Sequence, residues 1–162
     1  MFPLAHSLRA ARALLGISQE DVAKLTGIER RMIGRIEAGN LKLVPREALK
    51  LQNEYEKKGV EFVKATKDSG PGIRWKQPGR FDAFQSAQLR AARAMLDLSQ
   101  RRLAELSGID KNFISRLEQD KLSAVSMETV RKLVSCLEAA GVELTLEGRE
   151  FGVGVRMQTP HA

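Results

Sequence analysis

Cysteine is almost absent from this sequence: Cys136 stands alone among 162 residues. A single thiol builds no disulfide framework within the chain and no thiolate zinc site. Histidine is nearly as scarce. His6 and His161 lie near opposite ends, which leaves no metal cluster and no ligand set for a cofactor. No apolar run approaches the roughly 20 residues needed to span a bilayer. The opening stretch "MFPLAHSLRAARALLG" is interrupted by Arg9 and Arg12 and lacks the layout of a signal peptide. These absences point to a soluble cytoplasmic protein with no metal, cofactor or membrane. They also argue against an enzyme, since no Ser/His/Asp set, carboxylate dyad or phosphate loop is present.

What the chain does hold is positive charge. Lys and Arg number 27 against 20 Asp and Glu, a net +7 with a pI near 9.9. That balance favours an anionic partner, although basic membrane-surface and ribosomal proteins share it. The length suits one ordinary domain or two small ones, and an apolar content of 43% is enough for a packed core.

The sequence also holds itself twice. "LRAARA" occurs at Leu8–Ala13 and again at Leu89–Ala94, and "SQ" follows at Ser18–Gln19 and Ser99–Gln100. With a shift of 81 residues, Leu8–Glu47 matches Leu89–Glu128 at about half its positions, the mark of a duplicated unit. The register slips by one between "LKLVPRE" and "LSAVSMETV"; beyond it "GVEF" at Gly59 matches "GVEL" at Gly141, and "GPGIRW" at Gly70 matches "GVGVRM" at Gly152. Two domains are expected, 1–76 and 82–158, joined by a linker at 77–81 where Pro78 and Gly79 break helical pattern. Residues before Lys76 carry about +5 and the rest about +2.

Each copy spells the same elements. Leu4, Leu8, Ala11 and Leu15 recur at helical spacing and predict an apolar stripe on helix one. Ser18 and Ser99 are good N-caps for helix two, and Gly27 and Gly108 suit the left-handed turn that ends it. Glu29 or Asp110 then opens helix three, with Ile33 and Ile36, or Ile114 and Leu117, facing inward. Gly39 ends helix three in copy one; Asp120 stands there in copy two. Helix four runs from about Arg46 or Met127 to Lys58 or Ala140. Two short alternating runs close each copy as a β-hairpin. "LRAARA" reads mainly as core and brace, Trp75 as hairpin packing, and Cys136 as a small semi-buried residue.

In "QEDVAKLTGIERRMIGRIEA" and "QRRLAELSGIDKNFISRLEQ", alanine holds the fifth place (Ala23, Ala104), glycine the ninth and isoleucine the fifteenth (Ile33, Ile114). Two helices crossing steeply through a tight turn need a small residue at the crossing and a glycine at the corner. The pattern resembles the lambda-repressor/Cro (XRE-type) helix-turn-helix family over Leu8–Leu51 and Leu89–Leu133. The implied fold is mainly α: two tandem helix-turn-helix domains, each followed by a short β-hairpin in place of the fifth helix common in that family.

The resemblance implies a sequence-specific transcriptional regulator of bacterial, phage or mobile-element type, with double-stranded DNA as partner. Its reading positions on helix three are Arg30, Arg31 and Arg35 in copy one, and Lys111, Asn112 and Arg116 in copy two. Arginine pairs bidentately with guanine and asparagine with adenine. Gln19 and Gln100 stand where the family anchors a phosphate beside a helix N-terminus. Arg101, Arg102, Lys42 and Lys121 are further phosphate candidates. Arg12 with Glu37 and Arg93 with Glu118 match the family's structural salt bridge between helices one and three.

Family activators present acid to RNA polymerase where this chain has Glu20 and Asp21. Carboxylates favoured by the helix dipole are the plainer reading of that pair. Differing reading sets imply non-identical half-sites. One chain either acts as a monomeric pseudo-dimer or forms a homodimer through its β-hairpins, and the sequence leaves both open. The alternative function is a protein-binding antitoxin or anti-activator built on the same fold.

Overall fold

A computed structural model describes residues 4–158; His161 lies outside them. Copy one comprises α1 (Ala5–Leu15), α2 (Gln19–Thr26), α3 (Arg30–Ala38), α4 (Arg46–Lys57), β1 (Val60–Val63) and β2 (Gly72–Trp75). Copy two comprises α5 (Ser86–Met95), α6 (Gln100–Ser107), α7 (Lys111–Glu118), α8 (Met127–Ala139), β3 (Val142–Thr145) and β4 (Gly154–Met157). Both sets of four helices pack on one continuous apolar core, to which copy one contributes Leu8, Val22, Ile33, Leu51 and Tyr55, and copy two Leu89, Leu103, Ile114, Leu133 and Leu137.

Local chemistry sets the helix ends. Ser18 Oγ accepts from Asp21 N at 3.0 Å while Ser18 N donates to Asp21 Oδ2 at 2.9 Å. This reciprocal capping box satisfies two otherwise free groups. In copy two Ser99 Oγ accepts from Arg102 N at 2.9 Å, but Arg102 has no acceptor with which to return the bond. Gly16 and Gly39 end α1 and α3 at φ +71° and +75°; copy two puts Asp97 and Asp120 at those places, both at φ +56°. Aspartate tolerates the left-handed region better than most side chains, so the turns survive the loss of glycine. The one-residue slip appears as length: α8 has 13 residues and α4 has 12.

The stripe expected on helix one needs correction. Leu4 is the N-cap residue before α1 and is 44% exposed. The buried positions are Ser7, Leu8, Ala10, Ala11, Ala13 and Leu14, which at 3.6 residues per turn cover well over half of the helix circumference. The reason is α5, which lies on α1 in the most extensive pairing of any two elements in the fold. Small alanines on both helices let the backbones come close. "LRAARA" is therefore also a contact surface between the copies.

A second seam joins the hairpins. Within the one chain the strands form a single antiparallel sheet of order β1-β2-β4-β3. Gly72 pairs with Arg156, Ile73 with Val155 and Arg74 with Gly154. Glycine is required at this crossing: a Cβ on Gly72 would strike Val155 O and sit 2.5 Å from Arg156 Cβ, and one on Gly154 would strike Ile73 O and sit 2.5 Å from Arg74 Cβ. The connecting segment is held down too. Gly79 N donates to Glu147 Oε2 at 2.8 Å, and the Arg80 guanidinium stacks 3.7 Å over the ring of Trp75, itself buried on β2.

Candidate nucleic-acid interface

The third helix of each copy, α3 or α7, faces outward. Each buries one side only: Ile33, Ile36 and Glu37 in α3, and Ile114, Leu117 and Glu118 in α7. The opposite sides carry Arg30, Arg31 and Arg35 in copy one and Lys111, Asn112 and Arg116 in copy two, all six exposed. The two helices start differently. Asp110 Oδ1 accepts from Asn112 N at 2.9 Å and from Phe113 N at 3.2 Å. Glu29 makes no such cap.

Beneath each of these helices lies a brace. Arg12 Nε reaches Glu37 Oε1 at 2.5 Å, and Arg93 Nη2 reaches Glu118 Oε1 at 2.7 Å. Both carboxylates are about 95% or more buried. One further guanidinium nitrogen of each is used as well, Arg12 Nη1 on Ile17 O at 3.0 Å and Arg93 Nη1 on Leu98 O at 2.6 Å. Each arginine thus ties its own first helix, the turn before helix two and helix three into one unit. Tyr55, fully buried in copy one, has its phenol pushed well above the ordinary range by burial and by the Glu37 carboxylate.

Of the expected phosphate contacts, Lys42, Lys121, Arg101 and Arg102 are exposed. Arg102 Nη1 lies 3.1 Å and Arg101 Nε 3.7 Å from the carboxylate of Glu105, with all three side chains largely in solvent. Pairs of that kind hold by only about 0–1 kcal/mol, so both guanidinium groups are readily given up to a stronger anion. Gln19 is half-buried and donates from Nε2 to Glu37 Oε2 at 3.2 Å, with its amide crossing above Gly34. Gln100 is half-buried at the matching place. Asp21 is committed to its capping box, and hydrogen bonds from the Ser18 backbone and side chain hold its carboxyl below the usual range.

Two residues that sequence reasoning passed over are Arg9 and Arg90. Arg9 donates from Nε to Ala94 O and from Nη2 to Met95 O (3.0 Å) in copy two, and from Nη1 to Glu37 O in its own copy. Arg90 repeats this, with Ala13 O and Leu14 O (3.3 Å) across the seam and Glu118 O at home. Each guanidinium thus caps the carbonyl end of the other copy's first helix, where positive charge is favoured. Each also holds the backbone of its own third helix. Burial lowers the Arg90 pKa, opposed by the carboxylates of Glu118 and Asp82. The available signal was an arginine set among alanines that recurs unchanged in both copies.

Two outward helices, each the second of a helix-turn-helix pair, define the class: a DNA-binding helix-turn-helix protein. The helix-turn-helix family model matches the chain twice, at residues 8–61 and 89–142. The chain belongs to this XRE, lambda-repressor-like family, in two tandem copies. The family binds DNA and is not a catalytic one. No curated protein matches the chain. Among the described residues no helix is long and apolar enough to cross a membrane, and no group of three or more His, Cys, Asp or Glu side chains could hold a metal ion.

Proposed function

We propose that this chain is a sequence-specific transcriptional regulator, acting on the double-stranded DNA of a bacterium, phage or mobile element through one reading helix per copy. The observation that carries the reading is the exposed set Arg30, Arg31, Arg35, Lys111, Asn112 and Arg116 on two helices, each braced from behind by a buried arginine–carboxylate pair. Arg35 and Arg116 occupy the same place and read a shared guanine. At the first two places Arg30 and Arg31 face Lys111 and Asn112, so the halves of the site differ. Exposed guanidinium and ammonium groups also suit a polyanion better than the apolar contact an antitoxin or anti-activator needs. The capping box on Asp21 supports a structural role for the acidic pair of α2 rather than a contact with RNA polymerase. One chain already carries two reading helices and acts as a pseudo-dimer.

The test is the salt dependence of binding to DNA taken from a selection on random sequences. With about 6–8 phosphates neutralised, log K falls against log salt with a slope near −5 to −7. A flat response would remove DNA as the partner. Arg35→Ala or Arg116→Ala costs about 1–3 kcal/mol of binding and relaxes one base position. An equal loss on every sequence would make these arginines phosphate contacts instead.

A further inference from the structure

The copies follow one another in tandem along the chain, which would lead one to expect tandem, same-direction half-sites in the DNA. Their packing is of another kind. The β2–β4 register is unchanged when the copies are exchanged: Gly72 opposite Arg156 becomes Gly154 opposite Arg74, around the central pair Ile73 and Val155. The helix seam behaves the same way. Arg9 grips Ala94 and Met95, and Arg90 grips their counterparts Ala13 and Leu14. Reciprocal contacts in which residue i meets j and j meets i define a two-fold axis; a head-to-tail arrangement cannot produce them. The same axis relates α3 to α7.

Resting on the DNA-binding reading above, we propose that the ligand is one composite operator with two unlike half-sites in inverted orientation at a single fixed spacing. One chain occupies it, in one direction. Inversion follows from the axis, because the symmetry of a two-headed reader is mirrored in its site. The fixed spacing follows from two separate seams, α1 on α5 and β2 on β4, together with a connector held by Glu147 and Trp75. The single direction follows from the unequal reading sets. A homodimer with this axis reads equal halves and lies equally well either way round; here duplication keeps the axis and removes the equivalence.

A variant with equalised reading faces tests the orientation. Lys111→Arg, Asn112→Arg and Ser115→Gly copy Arg30, Arg31 and Gly34 onto α7, where Arg116 already matches Arg35. Both the parent and the variant are used, as full chains, to select from a random duplex of about 30 base pairs, long enough for two half-sites one helical turn apart. The parent enriches two unlike boxes. The variant enriches a palindrome in which both halves equal one of the parent's boxes. A direct repeat, or one box alone, overturns the proposal while leaving DNA binding intact. Absence of enrichment with either protein takes down the DNA-binding reading itself. The spacing is tested on the parent alone. One base pair inserted between its boxes turns one half-site by about 35° and moves it about 3.4 Å, and weakens binding about tenfold or more. Unchanged affinity after insertion, or two chains per duplex by light scattering, overturns the proposal.

Discussion

Replacement of Glu37 by alanine costs the fold about 3–5 kcal/mol, the range for stripping one partner from a buried ion pair. Glu37 is 3% exposed and accepts from Arg12 Nε through both oxygens and from Gln19 Nε2. Without the carboxylate, the Arg12 guanidinium is left half-sheltered with Ile17 O as its partner, and Gln19 loses its acceptor. The loss is therefore larger than the net worth of the pair. The companion variant separates the two quantities. Arg12→Met combined with Glu37→Leu removes both charges and refills the space, and recovers most of the stability lost by Glu37→Ala. Urea unfolding with a common m-value is the measurement. A Glu37→Ala midpoint that corresponds to less than about 1 kcal/mol would mean that the pair is solvated rather than buried.

The second large effect is at the sheet seam. Gly154→Val places a Cβ against Ile73 O and within 2.5 Å of Arg74 Cβ. Neither neighbour is a flexible side-chain end, so β4 must draw away from β2. Overpacking of this kind costs about 3 kcal/mol, equivalent to a fall of about 6–12 °C in Tm for a chain of this size. Amide exchange locates the damage. Protection falls at the β2–β4 bonds and at Gln88, whose side-chain amide donates to Thr145 O and Gly154 O at 2.9 Å. The α2–α3 turn, which Thr26 closes by donating to Val22 O and accepting from Ile28 N, keeps its protection. A Tm within about 2 °C of the parent would show that the two hairpins are not in contact as described.

The contrast between these sites shows what can be read from sequence. The brace was legible because Arg12 and Glu37 recur as Arg93 and Glu118 and match a family pattern. The outward cationic side of α3 was legible because Ile33 and Ile36 fix its inward side, which leaves Arg30, Arg31 and Arg35 exposed. The seam was hidden because its partners lie far apart in the chain. Nothing near Gly72 or Gly154 names the other as a neighbour; each looks like one more turn glycine. The alanines of "LRAARA" look like ordinary helix formers, so nothing marked Ala10 and Ala13 as a second buried side or Arg9 as more than a surface charge.

Since Arg9 and Arg90 belong to the same polypeptide, closing the interface between the two halves is a unimolecular event. For a chain acting alone, as proposed, dilution cannot separate them, and the thermal midpoint is independent of protein concentration, unlike that of an associating pair. A site filled by one such molecule saturates with the first power of protein concentration, where a dissociating dimer responds with the square. On the proposed reading, holding both halves in one chain replaces a dose threshold with a graded response.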